Sequence, residues 1–89
     1  LQAKSPVYGQ AKTFTVSLKN VTLKEVISYV EKNSQYVFFF KPEVINQSTQ
    51  ISVSLKNATV KQLLDKVSEQ ANIVYEMKER QIVLKEKKV

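Results

Sequence analysis

Eight carboxylates, fourteen lysine and arginine side chains and a short aromatic run are the groups in this 89-residue chain that could do chemistry. Two carboxylates sharing a cleft can run acid–base hydrolysis. Here Glu25, Glu31, Glu43, Asp65, Glu69, Glu76, Glu79 and Glu86 are scattered, and Glu31 and Asp65 fall on the polar faces of predicted helices. The spacing brings no pair together. The chain has no cysteine and no histidine, which excludes thiol nucleophiles, disulfides, zinc sites built on Cys or His, and the commonest general base. Gly9 is the only glycine, so no glycine-rich loop can bring backbone against a phosphate. The reading is of a non-enzyme with no cofactor and no metal.

The remaining chemistry is charge. The formal net charge of +6 raises the question of nucleic acid. Residues 1–13 carry Lys4 and Lys12, and residues 85–89 carry Lys85, Lys87 and Lys88 against Glu86. Residues 14–84 hold nine basic and seven acidic side chains, so the body is nearly balanced. Arg80 is the only arginine, whereas base-edge readout favours arginine. A small basic nucleic-acid-binding domain stays as an alternative from another class, but a solvated surface explains the lysines better, and no nucleic-acid partner is expected.

The elements that must position these groups are set by an internal repeat. Residues 14–40 align with residues 51–77 at an offset of 37, with nine identities in 27 positions. Val16-Ser17-Leu18-Lys19-Asn20 recurs letter for letter as Val53-Ser54-Leu55-Lys56-Asn57. In each copy the apolar residues first alternate with polar ones, as in a half-buried strand. Thr22–Glu25 and Thr59–Gln62 then both fit the capping box that opens a helix. Leu23, Val26, Ile27 and Val30 form an apolar stripe, repeated by Val60, Leu63, Leu64, Val67 and Ala71. Second strands follow at Tyr36–Phe40 and Ile73–Met77. A polar turn at Lys78–Arg80 leads to a last strand, Gln81–Lys85, in a hairpin with Ile73–Met77. The order is β-α-β-β-α-β-β, an α+β domain of two βαβ repeats, with Asn46–Gln50 as a polar link.

The run Tyr36, Phe38, Phe39, Phe40 has three readings: ordinary core, a base-stacking platform, or a protein contact. The repeat register helps to separate them. Glu76 aligns with Phe39, so Tyr36, Phe38 and Phe40, like Ile73, Tyr75 and Met77, should point inward. Val37 and Phe39 are then apolar residues on an outer face, joined by Val74 and Val83. These four are the candidate protein-binding residues. Asn20-Val21-Thr22, Asn46-Gln47-Ser48 and Asn57-Ala58-Thr59 match the glycosylation sequon, but Thr22 and Thr59 are already explained as helix caps and the asparagines suit turns. At the start, Val7-Tyr8-Gly9 places small residues as at the end of a secretory signal peptide. Residues 1–13 are therefore expected to be a flexible leader.

The run Val16 to Val26, the segment Tyr36–Phe40, and in the second half Val53 to Leu64, Ile73–Tyr75 and Gln81–Leu84 together resemble the secretin and TonB N-terminal short domain, the STN domain. The likeness covers about residues 14–85, leaving 86–89 as a linker to a following domain. It is nearest the version heading TonB-dependent outer-membrane transporters of the SusC/RagA type in Bacteroidetes. The resemblance implies two helices held between a two-stranded and a three-stranded sheet. It implies a periplasmic signalling domain of an outer-membrane protein, contacting the periplasmic domain of an inner-membrane anti-sigma regulator and coupling nutrient uptake to transcription. It implies no catalytic residues and no cofactor, membrane contact only through the rest of the transporter, and a monomeric isolated domain. A regulator or a secretin carrying a similar domain is the alternative host. The family often has glycine after the first helix and in the final hairpin. Here Ser34-Gln35 and Lys78–Gln81 stand there, and Asn72 suits a left-handed turn better than Gln35 does.

Overall fold

A computed structural model describes residues 13–87. The elements are β1 (Phe14–Thr22), α1 (Leu23–Asn33), β2 (Val37–Phe39), β3 (Gln50–Ala58), α2 (Val60–Ala71), β4 (Ile73–Lys78) and β5 (Gln81–Glu86). The expected leader, apart from Thr13, and the last two residues of the expected linker lie outside the described residues.

Both helices start as their sequences predict. The Thr22 Oγ1 accepts from the Glu25 N–H at 3.2 Å, and the Thr22 N–H donates to Glu25 Oε1 at 2.8 Å. Thr59 and Gln62 repeat the pair at 3.2 and 2.8 Å. Two otherwise orphaned backbone donors are thus satisfied at each helix start. The helix ends differ. Asn72 closes α2 in the left-handed conformation, φ 59° and ψ 46°, with its N–H on the Ser68 carbonyl. Ser34 closes α1 in an extended conformation, and its hydroxyl turns back onto the Val30 carbonyl at 2.7 Å. No left-handed residue is therefore needed where the family has glycine. The final hairpin does need one: Glu79 carries it at φ 55°, a conformation that costs a residue with a Cβ roughly 1–2 kcal/mol.

β1 and β3 form an antiparallel two-stranded sheet centred on Ser17 opposite Ser54. The three-stranded sheet runs β2-β5-β4, with β5 parallel to β2 and antiparallel to β4. The strands of each βαβ unit lie in different sheets, so the handedness rule for crossovers within one sheet does not apply. α1 touches β1, β3 and β2, while α2 touches β3 and β4, which places both helices between the sheets.

The two copies are joined by a reciprocal device. Asn20 and Asn57 both sit at φ 52° near the end of their strands. The Asn20 N–H donates to Ser52 Oγ at 2.9 Å, and the Asn57 N–H donates to Thr15 Oγ1 at 3.2 Å. Thr15 and Ser52 occupy equivalent positions of the repeat, so each copy holds the other's strand-to-helix turn. Asparagine tolerates this left-handed geometry, which is why it recurs there.

The predicted stripes are the core: Val30 and Leu63 are completely buried, and Leu23, Val26, Leu64 and Val67 nearly so. Ala71 packs only partly against it. Burying one such side chain stabilises by about 1.5–3 kcal/mol. Ile45 is a core residue that the periodicity does not reveal, at 1% exposure just before the polar link. It enters the core because the chain leaves the sheet at Phe40 and turns sharply, with the Lys41 carbonyl accepting from the N–H groups of Val44 and Ile45. Pro42, whose φ is fixed for a turn, sits at the start of that reversal. β2 has three residues, against the Tyr36–Phe40 expected: the turn removes Phe40, and at the other end the Tyr36 N–H donates to Ser34 Oγ at 3.1 Å rather than to the sheet.

Candidate interaction face

The outer face of the three-stranded sheet is set by register. Phe39 lies beside Val83, and Val37 beside Gln81. Across β5, Val83 faces Glu76 and Lys85 faces Val74. Phe39 is 48% exposed, Val37 44% and Val74 41%, while Val83 is half-buried. Tyr36, Phe38 and Ile73 point the other way and are buried, as the alternation predicts, with Phe40, Tyr75 and Met77 partly buried.

The four predicted residues form a connected strip. Val37 and Phe39 are neighbours along β2. Phe39 meets Val83 laterally, and Val83 meets Val74 on the diagonal, within reach across an antiparallel pair. The opposite diagonal of the same four positions is ionic: Lys85 Nζ lies 3.0 Å from Glu76 Oε2. Both partners are largely exposed, so this pair adds little stability. Its effect is to put charge beside Val74 on the β4 side of the face, whereas Val37 and Phe39 on the β2 side are apolar.

The repeat does not reveal how that surface continues. Val44, 42% exposed in the turn after Pro42, stands across a groove from β5. The groove has a volume of about 620 Å³ and is lined by Phe39, Phe40, Val44, Val83, Leu84 and the stems of Lys41 and Lys85, with Glu86 at its end. The pair Val44-Ile45 follows a proline turn, and no periodicity says which of the two faces the core.

Glu25, Glu31, Asp65 and Glu76 are used structurally. Glu31 Oε2 accepts the Phe38 N–H at 3.0 Å, capping the outer edge of β2. Asp65 accepts from the Tyr75 hydroxyl at 2.5 Å and from Lys61 Nζ at 3.3 Å. The Tyr75 bond, more than Lys61, holds the Asp65 carboxyl below its usual value. Burial first and the Asp65 carboxylate second push the Tyr75 phenol well above the usual value. Of the sequons, Thr22 and Thr59 are engaged as caps, and Asn46 Oδ1 accepts the Ser48 N–H at 2.9 Å as a turn. Among the described residues no group of three His, Cys, Asp or Glu could hold a metal ion, and no helix is long and apolar enough to cross a membrane.

This frame of β2, α2 and the β4–β5 hairpin, including the whole outer face, lies within residues 36–87, which match the family described as secretin and TonB N terminus short domain. The chain belongs to that family. No curated protein matches the chain. The match begins at the second strand of the first copy, yet β1 and α1 outside it repeat the architecture of β3 and α2. An STN domain heads secretins and TonB-linked proteins, and the matched residues hold the whole three-stranded sheet.

Proposed function

We propose that this STN domain is the periplasmic signalling module of a TonB-dependent outer-membrane transporter of the SusC/RagA type. In this reading it contacts the periplasmic domain of an inner-membrane anti-sigma regulator and carries no catalytic step. The observation that supports it is the strip Val37, Phe39, Val83 and Val74 on a solvent-facing sheet. Among the described residues nothing covers Val37, Phe39 or Val74, and an apolar sheet face rimmed by charge suits a protein contact. The family description covers secretins as well. A barrel encoded downstream in the full-length gene separates the transporter from a secretin, and a single membrane helix upstream points to the regulator as host.

The test is calorimetric titration of the 89-residue chain with the periplasmic domain of an anti-sigma regulator from the same genome, at two salt concentrations. Binding that tolerates salt is expected, and Phe39→Glu is expected to weaken it by about tenfold or more, with unchanged thermal unfolding. Unaltered binding in Phe39→Glu overturns the face. No heat with the regulator domain, but heat with single-stranded RNA that vanishes at the higher salt, overturns the whole reading.

A further inference from the structure

β5 is longer than the strand beside it. β2 pairs with it only as far as Phe39 opposite Val83, while β5 runs on to Glu86. The Val37 N–H bonds to the Arg80 carbonyl at 2.8 Å, which fixes the parity of the parallel ladder. By that parity the even-numbered residues of β5 direct their backbone groups toward β2. Beyond Phe39, the Leu84 carbonyl and the Glu86 N–H therefore face the groove. No backbone bond from a loop or turn reaches either of them among the described residues. An unpaired run of strand backbone beside an apolar groove is a template for an extended chain.

We propose that this groove takes an extended peptide segment of the protein partner, added to β5 at Leu84–Glu86 in line with β2. This rests on the reading above only in taking the occupant to be protein. A strand placed there alternates its side chains. One set meets Phe40, Val44 and Leu84, and the other lies on the side of Lys85. The charges on the groove's walls balance, with Lys85 already paired to Glu76 and Lys41 set against Glu86, so the apolar wall selects the segment, which alternates apolar with uncharged polar residues. The free edge of β4 is the poorer template: Glu76 and Lys78 sit along it, and charged edge residues discourage strand addition. β2's own outer edge is closed by Glu31 on the Phe38 N–H.

The experiment is an NMR titration of the 89-residue chain with a blocked hexapeptide alternating threonine and valine. The expected result is shift changes centred on residues 84–86 and slowing of Glu86 amide exchange by about tenfold at saturation, as one new backbone hydrogen bond gives. N-methylation of alternate peptide nitrogens should abolish binding. Val44→Asp, at an exposed position that leaves the fold intact, should weaken it by about fivefold or more. Shifts confined to Ile73–Lys78, equal binding of the N-methylated peptide, or no response at millimolar peptide each overturn strand addition at this groove. Loss of regulator binding in Phe39→Glu with no peptide response leaves the face standing and removes the groove. Peptide pairing without regulator binding does the reverse.

Discussion

The two copies of the repeat begin alike and end differently. Their strands share a sheet, their capping boxes match to within a tenth of an ångström, and their left-handed asparagines bind each other's copy. Past the helices the likeness fails. Phe38 and Tyr75 are equivalent positions, yet α1 holds the first by its backbone through Glu31, and α2 holds the second by its hydroxyl through Asp65. Ser68, the counterpart of Glu31, has its hydroxyl buried with no partner. On the outer face Phe39 stands where the second copy has Glu76. The difference follows from β5. It lies between the two second strands, parallel to one and antiparallel to the other, so a twofold relation between the copies cannot survive it. The half that holds the sheets together stays symmetric, and the half that faces outward is free to differ.

The sharpest way to test whether the symmetric half carries the stability equally is at its core. Val26 and Leu63 are equivalent positions, 1% and 0% exposed. Leu63→Ala should cost about 2–5 kcal/mol and Val26→Ala roughly 1–3 kcal/mol, in proportion to the methyl and methylene groups removed. Urea unfolding reads both, with the slope unchanged if the transition remains two-state. A negligible loss at Val26 would break the comparison and show that α1 is not held as α2 is.

The next effect is at the caps. Thr22→Ala and Thr59→Ala should each cost about 1 kcal/mol, and by the same measurement they should agree within a few tenths, because each removes the same acceptor. A large difference would show that the charged Glu25 and the neutral Gln62 do not act as equivalents.

The caps also show why part of this molecule was legible and part was not. Threonine followed three residues later by Glu or Gln is a local signal, and strand alternation is another; both give the elements, the inward set and the four outer-face residues directly. The order of the three-stranded sheet is not local. Nothing in Gln81–Glu86 says that it lies between β2 and β4, and it is that placement which sets Phe39 beside Val83. Ile45 and Val44 were hidden for a related reason: one turn at Pro42 sends the first into the core and the second to the groove, without periodicity. The Glu31 contact with Phe38 joins a helix's polar face to a strand edge, which no spacing rule anticipates.

The smallest effect tests the tie peculiar to the second copy. In Tyr75→Phe the Asp65 carboxyl loses its main stabilising partner and should titrate closer to its usual value, read from its carboxyl chemical shift against pH. Asp65 is held low in the folded protein, so its contribution is complete above the unfolded value and is lost as pH falls through the folded one. Tyr75 is held high, so its contribution is complete below the ordinary phenol value of 10.0 and is lost as pH rises through the folded value. The stability difference between the native chain and Tyr75→Phe should therefore be flat across neutral pH and shrink at both extremes. With Asp65 about half exposed, solvent screening keeps the difference near the low end for a hydrogen bond, about 0.5 kcal/mol. An Asp65 titration unmoved by Tyr75→Phe would mean that Lys61 alone sets it, and that α2 and β4 are held by packing rather than by this bond.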